Sequence, residues 1–213
     1  MKIAIINTNS ALSIGGGVLQ QGIMWHDGLE LLGHECDLIN FWEDNDWRKY
    51  DWIILLSFGE MFPNLIRGLS KINPNIAIAP IIDPKWSKKV YKFFVKYWGA
   101  KKHLGLSSRF HDFYLYGRDA KLYLTRSEQE TEYLSECCDI SSEKIKIVPL
   151  SLRFGVADSM PENKENFCFH CSRLSAENKN VPRIIEAAKK YGFELVLAGT
   201  LVGRDEEKWL DDQ

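Results

Sequence analysis

Short, almost wholly apolar runs alternate along this chain with longer stretches in which apolar residues recur every three or four positions. Lys2 to Asn7 (KIAIIN), Ile76 to Ile82 and Lys121 to Thr125 are of the first kind. They have the length of strands and no polar alternation, the pattern of a parallel sheet buried on both faces. Between them lie helical patterns. One opens at Gly15-Gly16-Gly17 and runs to about Leu32, where Gly33 ends it ahead of His34-Glu35 and a second strand that closes at Asn40. Another starts at Ser127, which with Glu130 forms a capping-box pattern, and Lys144 to Leu150 then reads as a strand. The succession predicts an α/β fold built on a Rossmann-like parallel sheet.

The pattern restarts after a break. Arg153 to Glu165 is short, polar and contains proline, the composition of an interdomain linker. Beyond it, Phe167 to Phe169 reads as a strand, followed by a loop carrying Arg173 and Lys179. An amphipathic segment spans Val181 to Tyr191, and Phe193 to Ala198 closes on Gly199. This is one βαβ unit with positive charge where a parallel strand meets its helix. Open α/β sheets bind ligands at the carboxyl ends of their strands, so a guanidinium and an ammonium there suit a diphosphate. The expected organisation is a first domain over 1–152, a linker over 153–165, and the start of a second Rossmann-like domain over 166–213.

Ser172-Arg173-Leu174, then Lys179-Asn180-Val181 and Ile184-Ile185-Glu186-Ala187, resemble the opening of the donor-binding domain of family 4 (group 1) glycosyltransferases of the GT-B fold. The family more often has Gly-Arg where Ser172-Arg173 stands. The first strand, glycine loop, long helix and Gly33-His34-Glu35 turn are similar to that family's beginning. So are Ser127-Glu128-Gln129-Glu130 and the strand ending at Val148-Pro149, although Leu150-Ser151 replaces the family's usual Asn-Gly. The resemblance implies transfer of a sugar, with retention, from a nucleotide diphosphate-sugar to a hydroxyl of a glycan or lipid-linked acceptor. It implies Arg173 and Lys179 as the catalytic cations on the diphosphate, and no metal or other cofactor. The family's acidic pair, which holds the ribose and phosphate, has no counterpart before Gln213. The chain therefore reads as cut within the donor domain and is expected to be inactive or weakly active alone, with self-association through the incomplete second domain as a further expectation.

On the acceptor side, Gly15, Gly16 and Gly17 remove three Cβ atoms next to a helix N-terminus. That permits a phosphate or acceptor contact, or simply a tight turn. Asp83 and Glu60 each follow a predicted strand end, where a carboxylate orients a sugar hydroxyl or caps the next helix. His26, His103 and His111 fall on predicted helices as satisfied or solvated side chains.

One segment departs from ordinary globular patterning. Lys85 to Lys102 carries seven lysines and no acid, and on a helical projection Trp86, Val90, Phe93, Phe94 and Tyr97 fall on one face with Lys85, Lys88, Lys89, Lys92 and Lys96 opposite. Such a helix either packs its aromatics into the core and solvates its lysines, or lies on anionic lipid through Trp86, Lys88, Lys89, Lys92 and Lys96.

Charge and cysteine content narrow the remaining classes. A formal net charge of −2 argues against a nucleic-acid partner. No apolar run approaches a membrane span, and the start resembles no signal peptide, so the expected location is the cytoplasm, at most peripheral to the inner membrane face. Five cysteines read as reduced thiols. Cys168 and Cys171 form a CxxC, but zinc would want two more ligands. Two other classes stay open: a non-catalytic carbohydrate- or nucleotide-binding module, and a Rossmann-type oxidoreductase, which would want GxGxxG after the first strand.

Overall fold

The computed structural model describes residues 1–8, 16–40, 43–57, 61–82, 86–97, 109–118, 120–150, 165–174, 179–200 and 208. The chain divides into two units, Met1–Gly155 and Val156–Gln213. The first contains strands β1 (Lys2–Asn7), β2 (Glu35–Leu38), β3 (Trp52–Leu56), β4 (Ile76–Ala79), β5 (Leu122–Thr125) and β6 (Ile145–Ile147). Its helices are α1 (Gly17–Leu31), α2 (Phe62–Leu69), α3 (Lys88–Tyr97), α4 (Arg109–Tyr116) and α5 (Glu128–Cys138). All six strands pair in parallel, in the order β2-β1-β3-β4-β5-β6. The second unit is β7 (Phe167–Arg173), α6 (Val181–Tyr191) and β8 (Glu194–Thr200), with β7 and β8 parallel. The fold is α/β, as the alternation of patterns requires.

Topology decides which helix covers which face. From β3 to β6 each strand is laid beside its predecessor in one direction, and right-handed crossovers then carry all the connecting helices over the same face. The larger core shows this, joining Phe62 and Ile66 of α2, Tyr91 and Val95 of α3, Phe113 of α4 and Leu134 of α5 to Ile53, Leu55 and Ile78 of the sheet. Strand β2 is added on the other side of β1, which sends α1 to the opposite face. There Val18, Trp25 and Leu29 pack on Ile3, Ile5, Ile54 and Leu56. Gly22 lets α1 approach this closely, because a Cβ at that position would fall 2.9 Å from Leu56 Cδ1.

Strand β4 stops at Ala79, short of the Ile82 end expected from its apolar run. Pro80 follows without an N–H, and Ile81 is left-handed (φ 54°). That conformation costs a β-branched residue about 1–3 kcal/mol and needs support from its surroundings. The support comes from α5. The carboxylate of Glu130, 2% exposed, accepts the Ile82 N–H at 2.5 Å and the Arg126 N–H at 2.6 Å, and Arg126 donates from its guanidinium to the Ile82 carbonyl at 3.1 Å. Ser127 caps the helix as predicted, its Oγ accepting from the Glu130 N–H. The other half of the capping box is redirected: Glu130 reaches past Ser127 to Arg126 and Ile82, clamping the ends of β4 and β5 together.

In the second unit, Leu174, Val181 and Ile185 close a small core over Leu195 and Leu197. Strand β7 is longer than the apolar run Phe167 to Phe169, because pairing with β8 carries it through Arg173, which lies opposite Thr200. At Gly199 the two strands come so close that a Cβ would overlap the Ser172 carbonyl oxygen. Cys168 and Cys171, three apart on β7, point to opposite faces of the strand and do not form a common binding pair. Both are exposed, whereas Cys36, Cys137 and Cys138 are buried.

These interiors carry three predictions. Glu130→Ala should lower the unfolding free energy by about 2–4 kcal/mol, since it strips acceptors from buried donors and leaves the left-handed Ile81 turn without support. Denaturant titration reads this, and a loss under 1 kcal/mol would mean that the clamp is dispensable. A thiol reagent should titrate Cys168 and Cys171 in the native protein and all five cysteines after denaturation. Burial, with Glu30 and Asp37 nearby, pushes the Cys36 thiol up to about 11 from 9.0. A raised folded value means that this contribution to stability is complete below pH 9.0 and is lost as pH rises through about 11. Melting scans across that window should therefore show declining stability, less steeply in Cys36→Ala.

Candidate functional site

The carboxyl edge of the six-stranded sheet is where an open α/β fold presents its ligands, and here it is built from strand ends with unusual backbone. Thr8, fully buried after β1, uses both its N–H (3.1 Å) and its hydroxyl (3.0 Å) on the Leu56 carbonyl at the end of β3. Ser57 then turns left-handed (φ 66°) while its N–H bonds the Ala79 carbonyl at 2.7 Å. With Ile81, this puts left-handed non-glycine residues just past both β3 and β4. The Ser57 N–H and the backbone of Ile82, the residue after Ile81, tie these turns to the neighbouring strand ends. At β5, the Thr125 and Thr131 hydroxyls bond at 2.7 Å, and the Thr125 carbonyl accepts from the Val148 N–H.

Of the glycine loop, Gly16 and Gly17 are described and Gly15 lies outside the described residues. Gly16 is the extended N-cap of α1 and provides no side-chain cap, so the first N–H groups of the helix are left to other partners. Both glycines are exposed, and a Cβ on Gly17 would meet nothing within 4 Å. Packing among the described residues therefore does not demand glycine at Gly17. One turn further, Gln21 is buried, and its Nε2 finds no hydrogen-bond partner among the described residues. The next residue, Gly22, lines a hollow of about 120 Å³ with Asn7, Leu19, Ile39 and Leu56. Nothing in the one-dimensional pattern distinguished Gln21, Thr8 or Arg126, because their roles arise from strand ends that are far apart in sequence.

Asp83 and Glu60 lie outside the described residues, as does His103. The clamp from Glu130 and Arg126 acts on Ile82, the residue before Asp83 in the chain. His26 bonds its neighbour Asp27 at 2.9 Å, and His111, buried on α4, bonds the Val95 carbonyl at 2.7 Å. Both are satisfied structurally.

In the second unit, Arg173 is the last residue of β7 and Lys179 lies two residues before the start of α6. A parallel strand ends where its following helix begins, so both side chains belong to the same edge of this βαβ unit. Both are exposed. Asn180, the N-cap, is left-handed (φ 51°) and gives no side-chain cap; Pro182 has no N–H, and the Arg183 N–H bonds the Asn180 carbonyl at 3.1 Å. Two cations and an uncapped helix start at one strand end provide an electropositive edge suited to an anion.

On α3 the lysines and aromatics are arranged differently from the two-faced helix expected. Tyr91 and Val95 are the buried residues, whereas Trp86, Val90, Phe93 and Tyr97 are exposed. The residues facing the core form a third stripe between the aromatic and lysine faces, and α5 explains why. Lys88 pairs with Glu132 (2.6 Å) and Glu136 (2.8 Å), and Lys96 with Asp139 (2.5 Å), which rolls the lysine flank onto that helix.

Among the described residues no helix is long and apolar enough to cross a membrane, and no group of His, Cys, Asp and Glu is placed to hold a metal ion. No family model matches the sequence, and no curated protein matches it. Among solved structures, the chain is similar to the lipopolysaccharide outer core galactosyltransferase WaaB in its apo form. That match covers 99% of this chain and 70% of the other at 14% identity, with a TM-score of 0.44.

Proposed function

We propose that this chain is a glycosyltransferase of the GT-B type, moving a sugar from a nucleotide diphosphate-sugar to a hydroxyl of a glycan or lipid-linked acceptor with retention. The observation that carries the proposal is the position of Arg173 and Lys179, which bracket the turn between β7 and α6 at the carboxyl end of a parallel strand. In such a transfer the bond between the anomeric carbon and the diphosphate oxygen breaks, and its electron pair remains on the diphosphate. The acceptor oxygen bonds to the anomeric carbon and gives its proton to the departing diphosphate oxygen. Arg173 offers a planar fork to the phosphate oxygens, and Lys179 a compact charge on a flexible stem. Together they stabilise the charge that grows on the leaving group, at about 3 kcal/mol per well-placed donor. No cofactor is assigned to this step.

The acceptor side is assigned to the first unit. Gly15, Gly16 and Gly17 are kept as candidates for a phosphate or acceptor contact, Gln21 holds a buried amide one turn into α1, and Glu60 and Asp83 are kept as candidates for orienting hydroxyls. The proposed location is cytoplasmic. A binding module without turnover is the second reading, favoured by the lack of any acidic partner for a ribose among the described residues near Arg173.

Calorimetric titration of the 213-residue protein with uridine, guanosine and adenosine diphosphates tests the donor site. One nucleotide should bind, more weakly as salt is raised, and Arg173→Ala and Lys179→Ala should each weaken it about tenfold, or about 1.4 kcal/mol. Unchanged affinity in both variants would remove the diphosphate from this edge. Binding without transfer from the matching nucleotide-sugar to any acceptor would select the binding module.

A further inference from the structure

Helix α3 has two apolar faces. Tyr91 and Val95 point inward and are fully buried, which is what a helix on a sheet requires. Val90, Phe93 and Tyr97 recur at helical spacing on the opposite side, with Trp86 two residues ahead of the helix, and the exposures of Trp86, Val90, Phe93 and Tyr97 are 42%, 43%, 51% and 68%. They form a connected surface: Trp86 stacks on Phe94 at 4.9 Å between ring centroids, Phe93 lies edge-on to Phe94 at 6.0 Å, and Phe93 meets Tyr97 at 5.9 Å. Core packing does not require this second stripe, since α3 is already anchored from the other side. Tyr133 of α5 donates its hydroxyl to the Trp86 carbonyl, and His111 of α4 bonds the Val95 carbonyl.

Charge accompanies the stripe. Between Pro84 and Phe110 the sequence has eight cations and no acid, so in a chain of net −2 all the other residues together net −10. Lys88 and Lys96 are taken up by acids of α5. Lys89 and Lys92 are exposed and make no ion pair among the described residues.

We infer that the outer face of α3 is a docking surface for anionic lipid, with Trp86, Val90, Phe93 and Tyr97 entering the headgroup boundary and Lys89 and Lys92 lying over the negative surface. The choice of lipid over another polyanion follows from the mixture. A phosphate-backbone partner would be met by a field of cations, whereas here four large apolar side chains, including a Trp and a Tyr, occupy the centre with lysines on the flank. Helix α3 would dock in this way whether or not Arg173 and Lys179 hold a diphosphate.

The test is flotation of the 213-residue protein with vesicles of phosphatidylcholine, alone or mixed with phosphatidylglycerol. The protein should float with the anionic vesicles at low salt and not with the neutral ones. A lysine near an anionic surface changes partitioning about fivefold, so Lys89→Glu with Lys92→Glu should lower it at least tenfold. Phe93→Ser with Tyr97→Ser should also reduce binding while both lysines are intact. Brominated lipid should quench part of the tryptophan emission, and that part should be missing in Trp86→Phe, a readout independent of how the other variants fold. The inference is overturned if the protein does not float, if both double variants bind like wild type, or if quenching is the same without Trp86. Equal retention on heparin with Phe93 and Tyr97 removed would overturn it as well, marking a general polyanion site.

Discussion

A parallel sheet leaves no strand face for water, and the first unit is organised around meeting that requirement with few helices. Because β3, β4, β5 and β6 are added in one direction, right-handed crossing commits α2, α3, α4 and α5 to a single face. The other face has α1 as its only described helix. This asymmetry explains why α1 must come so close that Gly22 rests on Leu56, and why an apolar groove of about 370 Å³ opens beside it between Trp25, Leu29, Ile54 and Leu124. On the crowded face the helices compete for the sheet. Helix α3 wins only a narrow stripe of contact and leaves its aromatics outside.

The same geometry shapes the carboxyl edge. Strands that end level with one another, under helices that begin there, leave carbonyls and N–H groups to be satisfied without further sheet. Thr8, Ser57, Glu130 and Arg126 do this by reaching sideways to the next strand end. The left-handed turns at Ser57 and Ile81 are kept because those hydrogen bonds over-determine them.

Much of this was legible in the sequence, for identifiable reasons. Lys2 to Asn7 and Val181 to Tyr191 match β1 and α6 to the residue, since glycine or polar punctuation bounds an unambiguous apolar period. Ser127 announced the start of α5 correctly. The end of β4 was misplaced because apolarity continues through Ile81 and Ile82 while the backbone turns away at Pro80. The destination of Glu130 was likewise hidden, as its partner Ile82 is 48 residues away. The face of α3 turned to the core was misjudged for a related reason: a helical projection shows which residues lie together, and only Glu132, Glu136 and Asp139 on another helix decide which side is held down. Arg173 and Lys179 were visible as charge at a strand-helix junction, and the structure adds that β7 runs all the way to the arginine.

The strand order also bears on how the first unit is assembled. From β3 onward every new strand pairs with the one just completed in the chain. The pairing of β1 with β3 is the exception, joining Ile3 to Trp52 across the whole of α1 and β2. Mean contact separation is raised most by two closures of similar span, this one and the pairing of Ala77 on β4 with Leu122 on β5. On a ribosome, β1 and α1 emerge before β3, and their part of the sheet is completed only when β3 follows. Once β3 has docked, the sheet can lengthen at the pace of synthesis.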